Sequence, residues 1–261
     1  MKGPKAEAAW DDGAVPPVAF CVNCGLCTCA GCDAGALGER GLHLPWEESR
    51  RNWVVRLWQT ALASSLDPQR TFGELPVGPV GPALGFALVA ETLALGSLAL
   101  LGGAFLSLWA PDLVEQIVGS PVALTALAAL LAGSVLLMLC LHTLWGICLD
   151  IGGGRVTGPV SWEQGLRFGL YACGWDLLTS PIGVLCSLLT RGPIRGWAPV
   201  GAAAHAPRLA QRAYLEVCRG FGVDARRRAI RLCVVVLSIA ISLLIVGVVS
   251  ALVMVAQRLG Y

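Results

Sequence analysis

Between Arg70 and Arg155 the chain contains neither lysine nor arginine, and two of its three longest apolar runs lie inside that gap. A water-exposed domain rarely tolerates such a gap, because about a quarter of its residues are normally charged. Only 14% of this chain is charged against 56% hydrophobic, and the mean hydropathy is +0.69. The gap therefore reads as membrane. A formal net charge of +2 is too small to argue for nucleic acid, and the arginines cluster beside apolar segments rather than along a solvated stripe. No DNA or RNA partner is expected; the lipid bilayer is.

A hydrocarbon core about 30 Å thick needs about 20 apolar residues at 1.5 Å each. Three segments suffice: Ala83 to Leu108, interrupted only by Glu91; Val122 to Leu149, whose polar landmark is His142; and Ala229 to Ala256, with Arg231 near its start. Two weaker segments intervene. Phe168 to Thr190 contains Gly169, Gly174, Asp176, Pro181 and Gly183, so a kinked or broken helix is expected. Trp197 to Pro207 is about half a membrane thick before Arg208 and Arg212, which suits a re-entrant or interfacial helix or a degraded span.

Positive charge sets direction. Arg50, Arg51, Arg56 and Arg70 precede the first span, whereas Trp109 to Pro121 carries Asp112 and Glu115 and no positive residue. The N-terminus is therefore expected in the cytoplasm. Arg155 and Arg167 return the chain inside, and Arg219, Arg226, Arg227, Arg228 and Arg231 lie inside before the last span. An even number of crossings separates the two groups. Three or five spans follow, four are excluded, and the C-terminus is non-cytoplasmic. Lys2 and Lys5 lead to Asp11, Asp12 and two prolines without an apolar core, so no cleaved signal peptide is expected.

Residues 1–41 have too few large apolar side chains to build a core without a metal or cross-links. They hold two Cys-x-x-Cys pairs four residues apart, Cys21 with Cys24 and Cys29 with Cys32. Such a turn lets two thiolates meet one Zn²⁺ at about 2.3 Å, and Asn23 and Gly25 supply the tight backbone. Zn²⁺ on Cys21, Cys24, Cys29 and Cys32 is the leading assignment. The spacing is shorter than a full ribbon, and Cys27 and His43 leave the ligand set open. An iron–sulfur cluster or metal-free reduced cysteines are the alternatives. A cytoplasmic head argues against disulfides. Cys140, Cys148, Cys173, Cys186, Cys218 and Cys233 stand singly and read as small apolar residues.

Residues 42–76 form a second unit, before the transmembrane region 77–261. From Glu47 to Leu66 the residues Trp53, Val54, Leu57, Trp58, Ala61, Leu62 and Leu66 recur at helical spacing, with Arg50, Arg51, Arg56 and Gln59 opposite. This fits a helix in the headgroup region, or one packed on protein, which Asp67-Pro68 then stops. A Gly/Pro-rich stretch from Pro76 to Pro82 follows as a turn into the membrane.

In this order the chain resembles the bacterial branch of the Yip family (Ypt-interacting-protein-like multi-spanning membrane proteins). The matching residues begin with Leu44-Pro45-Trp46-Glu47-Glu48 and Arg50, then Trp58-Gln59-Thr60, then Leu66-Asp67-Pro68 with Phe72, Leu75 and Pro76. Gly81-Pro82-Ala83-Leu84-Gly85-Phe86-Ala87 follows, and further on His142 with Gly152-Gly153, Tyr171-Ala172 with Pro181 and Gly183, and His205 with Arg212-Ala213. The resemblance covers about Leu44 to Val255. It implies an all-α bundle of five transmembrane helices, three being the alternative, with a cytoplasmic N-terminus in the bacterial inner membrane. The fourth segment, broken at Pro199 and Pro207, departs from the pattern. The head is similar to the degenerate zinc ribbons or B-box-type fingers that precede many such domains. The eukaryotic members are linked to vesicle traffic and small GTPases.

Ionisable residues inside spans are rare, which makes Glu91, His142 and Asp176 candidates for function, against the plain alternative of an inert interhelical contact. Glu91 lies about nine residues beyond Pro82, near the centre of its span, and is expected to face the bundle. Asp176 is expected to point inward too, with His142 near one of them. Because the helix of His142 runs back toward the cytoplasm, its depth relative to Glu91 stays open. There are no paired carboxylates at catalytic spacing and no nucleophile elbow or phosphate loop, so no enzyme is expected. The leading expectation is a membrane scaffold or trafficking-type protein whose head binds a protein partner; the other is a small transporter or channel using Glu91, His142 and Asp176.

Overall fold

A computed structural model describes residues 44–48, 51–73, 75, 78–153, 162–219 and 227–242, and every regular element among them is helical. A 3₁₀ turn at Pro45–Glu47 precedes α1 (Trp53–Leu66), α2 (Pro68–Gly73), α3 (Val80–Trp109), α4 (Pro111–Gly119), α5 (Pro121–Gly153), α6 (Trp162–Thr179), α7 (Pro181–Arg195) and α8 (Trp197–Arg219). Residues 227–242 form α9. Prolines open α2, α4, α5 and α7. At the first helical position the fixed φ is already helical and the missing donor is one the helix does not use.

The helices α3 and α5 are each long and apolar enough to cross a membrane. The pair α6 and α7, bent by 70°, makes a third if it is one broken span. The break is at Ser180-Pro181, where the Ser180 side chain accepts from Gly183 N–H and caps α7. Of the glycines expected to weaken this segment, Gly169 and Gly174 lie inside a continuous α6, which starts at Trp162 rather than Phe168. At Gly192 the backbone leaves α7 at φ 78°, a left-handed geometry that glycine alone adopts freely, just before Pro193. The third expected crossing, Ala229 to Ala256, is described only as far as residue 242.

The segment from Trp197 to Pro207 is not a half-length element but the first half of the 23-residue α8. It buries Ala203, Ala206, Ala210, Ala213 and Tyr214 at helical spacing and leaves Arg208 and Arg212 exposed. The arginines mark a polar face, not an end. In α1 the side chain of Asn52 accepts from Val54 N–H, which starts the helix at Trp53 instead of Glu47. Its buried face is Leu57, Thr60, Ala61, Ser64 and Ser65, packed toward α6 and α8, while Trp53, Val54 and Leu66 are exposed.

Helix α6 is the hub, in contact with α1, α3, α5, α7 and α8. Its glycines make this possible. A methyl group on Gly169 would run into the His142 carbonyl, and one on Gly146 into the Gly165 carbonyl, so α5 and α6 touch backbone to backbone. Small residues at such seams drive helix association where lipid removes the hydrophobic force between helices. Beside the seam Phe72, Phe168 and Tyr214 stack in sequence, at 4.7 Å and 4.8 Å between ring centroids.

The turn at Pro45–Glu47 fastens the bundle. Trp46 N–H donates to Thr60 Oγ1 at 2.9 Å and Trp46 Nε1 to the Pro82 carbonyl at 2.7 Å, while its ring meets Phe86 edge-on. Glu47 Oε1 accepts from both Arg167 and Tyr171. Arg167, read from the sequence as a charge flanking a span, is instead buried within α6 against this carboxylate.

Candidate functional site

Glu91, His142 and Asp176 come from α3, α5 and α6 and meet inside the bundle. Glu91 lies eleven residues after the start of α3 and His142 eleven before the end of α5. At 1.5 Å per residue both are about 16 Å from those ends. The depth left open by the sequence is therefore shared, because the two helices run in opposite directions. The α5–α6 seam then sets the lateral position, with the His142 carbonyl against Gly169 and Asp176 two turns further along α6. Helical side chains lean toward their own N-terminus. For antiparallel α5 and α6 this aims His142 and Asp176 at each other.

The contacts follow. His142 Nε2 is 2.6 Å from Asp176 Oδ2 and 3.6 Å from Glu91 Oε1, so both carboxylates address the same ring nitrogen. The Glu91 side chain is 1% exposed, His142 13% and Asp176 35%, a gradient from an enclosed acid outward. Neither oxygen of Glu91 makes a hydrogen bond. Alanines flank Glu91 on α3 at positions 87, 90 and 94, all buried, so α6 comes close without a large side chain shielding the carboxylate. Trp145 and Trp175 border the site at 5.5 Å from each other, and Trp175 Nε1 is held by the Ser64 carbonyl at 2.8 Å.

Cys173, which the sequence offers only as a small apolar residue, belongs to the same cluster. It is buried one turn before Asp176, and its sulfur, a Glu91 oxygen and a His142 ring nitrogen all lie within 4.8 Å of one another. Its three-residue spacing from Asp176 places both on one helix face, a signal present in the sequence once Asp176 is singled out. One carboxylate, one imidazole and one thiol, with a second carboxylate on the imidazole, can take up a cation or hold a proton among them.

The remaining site residues fall elsewhere. Cys21, Cys24, Cys29, Cys32, Cys27 and His43 lie outside the described residues. Two polar groupings had no forewarning: Glu47 with Arg167 and Tyr171, and Asp150 Oδ1 accepting from Tyr214 at 2.8 Å. Both join residues too far apart in sequence to be paired by pattern. No model of a known family, no curated protein and no solved structure matches the chain.

Proposed function

We propose that the chain is an integral membrane protein that binds a cation at Glu91, His142 and Asp176 and passes it across the bilayer as a small transporter or channel. One observation carries this reading: the Glu91 carboxylate is enclosed in an apolar helix and makes no hydrogen bond, 3.6 Å from an imidazole already engaged by a second carboxylate. Burying a carboxylate among apolar helices is costly without a partner. Two acids around one imidazole form a pocket whose missing component is positive. Asp176 adds to this in the last turn of α6, since a helix carboxyl end carries partial negative charge. Broken helices that end beside intramembrane ion sites are a recurrent feature of transporters.

Around this site we propose a Yip-like frame of five crossings in the bacterial inner membrane, with the N-terminus cytoplasmic and the C-terminus outside. Its support is convergence: Trp46, Glu47, Thr60, Phe86 and Tyr171, all residues of the resemblance, interlock at the fastening turn. The same convergence favours the second reading, a scaffold whose Zn²⁺-bearing head, on Cys21, Cys24, Cys29 and Cys32, binds a protein partner.

Proteoliposomes separate the two. With Na⁺, K⁺, H⁺ and divalent transition metals offered in turn, the full chain should carry a flux above empty vesicles. Glu91→Gln and Asp176→Asn should each lower it at least tenfold with helical content and elution unchanged. No flux of any of these ions, together with a co-purifying protein lost on deletion of residues 1–41, would replace transport by scaffolding.

A further inference from the structure

We propose that Glu91, His142 and Cys173, closed by Asp176, form a binding site for a borderline-soft divalent transition metal of the Zn²⁺ class. The proposal rests on reading the cluster as a cation site and names the ion class. Donor chemistry is the first reason. A sulfur, an imidazole nitrogen and carboxylate oxygens suit Zn²⁺ and its neighbours, whereas Ca²⁺ and Mg²⁺ call for six or more oxygens. Na⁺ and K⁺ have no use for the sulfur.

Geometry is the second. Ligands at about 2.0 to 2.3 Å from a tetrahedral ion stand roughly 3.3 to 3.8 Å apart. The Glu91, His142 and Cys173 donor atoms lie within 4.8 Å of one another, so a closure of at most about 1.5 Å completes the set. Asp176 Oδ2 is 2.6 Å from His142 Nε2, a hydrogen bond shorter than the separation of two ligands on one ion, so Asp176 must draw back by about 0.7 Å or more as the ion takes its place on Nε2. Both carboxylates face Nε2, so an ion bonded to this nitrogen meets them directly. The third reason is independent of the cluster's composition: Glu91 is fully buried, aimed into the cluster, and neither of its oxygens has a hydrogen-bond partner.

Binding forms the metal–sulfur bond by releasing the Cys173 thiol proton, which leaves past the half-exposed Asp176. A neutral imidazole keeps its one proton by shifting it from Nε2 to Nδ1. The dication offsets two of the three negative charges, those of the two carboxylates and the thiolate, and leaves one negative charge on the site.

The test uses the purified full chain in detergent with Cys21, Cys24, Cys27, Cys29 and Cys32 changed to Ser, so that the head cannot bind metal, and Co²⁺ as the probe. One Co²⁺ per chain is expected, with a sulfur-to-cobalt charge-transfer band and the visible bands of a tetrahedral site. Cys173→Ser should abolish the charge-transfer band, and Glu91→Gln should weaken Co²⁺ binding at least tenfold. An unchanged band in Cys173→Ser overturns the proposal. Should that variant not elute like its parent, the parent spectrum decides, because Co²⁺ bound without a sulfur band, or not bound at all, overturns it equally. A Glu91-dependent flux of Na⁺, K⁺ or H⁺ without Co²⁺ binding defeats the metal assignment alone. Co²⁺ bound as described without any flux supports the site and defeats transport alone.

Discussion

Replacing Gly169 by alanine adds one methyl group at the point where α5 and α6 touch. The new carbon would lie well inside contact distance of the His142 carbonyl, with the Thr143 Cα 3.3 Å away, and neither is a side chain that can swing aside. Restoring ordinary contact near 3.5 Å requires the helices to part by roughly 1 Å. Overpacking of this kind costs about 1 to 3 kcal/mol. At about 2 to 4 °C per kcal/mol for a chain of this size, the unfolding midpoint in detergent should fall by several degrees. The separation falls at the residue that carries the imidazole, so His142 should also lose its 2.6 Å contact with Asp176. Gly103→Ala is the matched control, because nothing lies within 4 Å of a methyl group there. Alanine is the better helix former by about 1 kcal/mol, so that variant should be as stable as the parent or more so. Equal midpoints for Gly169→Ala and the parent would refute the backbone-to-backbone seam and, with it, the placement of His142.

Glu91→Leu should fold at least as well as the parent in metal-free detergent, whereas Glu91→Lys should lose roughly 2.5 to 3.5 kcal/mol of stability, both read by thermal unfolding. Equal stability of the two would mean that the position faces water and not the interior of the bundle. Glu47→Gln removes the charge that Arg167 and Tyr171 share and should cost about 1.5 to 3 kcal/mol. A double-mutant cycle with Tyr171→Phe should then show a coupling above about 0.5 kcal/mol, and additivity would sink the fastening role. A reporter fused after Tyr261 should read as non-cytoplasmic in cells, and a cytoplasmic signal would contradict both the three- and five-crossing arrangements.

How much of this was legible in the sequence depended on how local the governing physics is. The spans α3 and α5 stand out because a run without lysine or arginine has one strong solvent preference, and the Ser180-Pro181 break stands out because proline acts on its own neighbourhood. Glu91, His142 and Asp176 were visible for the same reason, as ionisable groups in apolar runs. That His142 lies near one of the acids was expected; that it meets both was not, since this depends on the antiparallel register of α3 and α5 and on the Gly146, Gly165 and Gly169 seam. Cys173 was hidden because a single cysteine in an apolar helix reads as a space-filler, and its one signal, the three-residue spacing from Asp176, counts only once Asp176 is singled out. Arg167 misled for a related reason: its partner Glu47 lies 120 residues away, so it reads as a flanking charge. In α8 the arginines at 208 and 212 read as an end to an apolar run, although helical spacing already assigns them to one exposed face.

The most direct measurement of the central claim is the zinc X-ray absorption spectrum of the full chain whose five head cysteines are serines. The account predicts one sulfur at about 2.3 Å and nitrogen or oxygen ligands at about 2.0 to 2.2 Å, the sulfur vanishing in Cys173→Ser. A chain that retains no zinc, or holds it with nitrogen and oxygen ligands alone, would contradict the account.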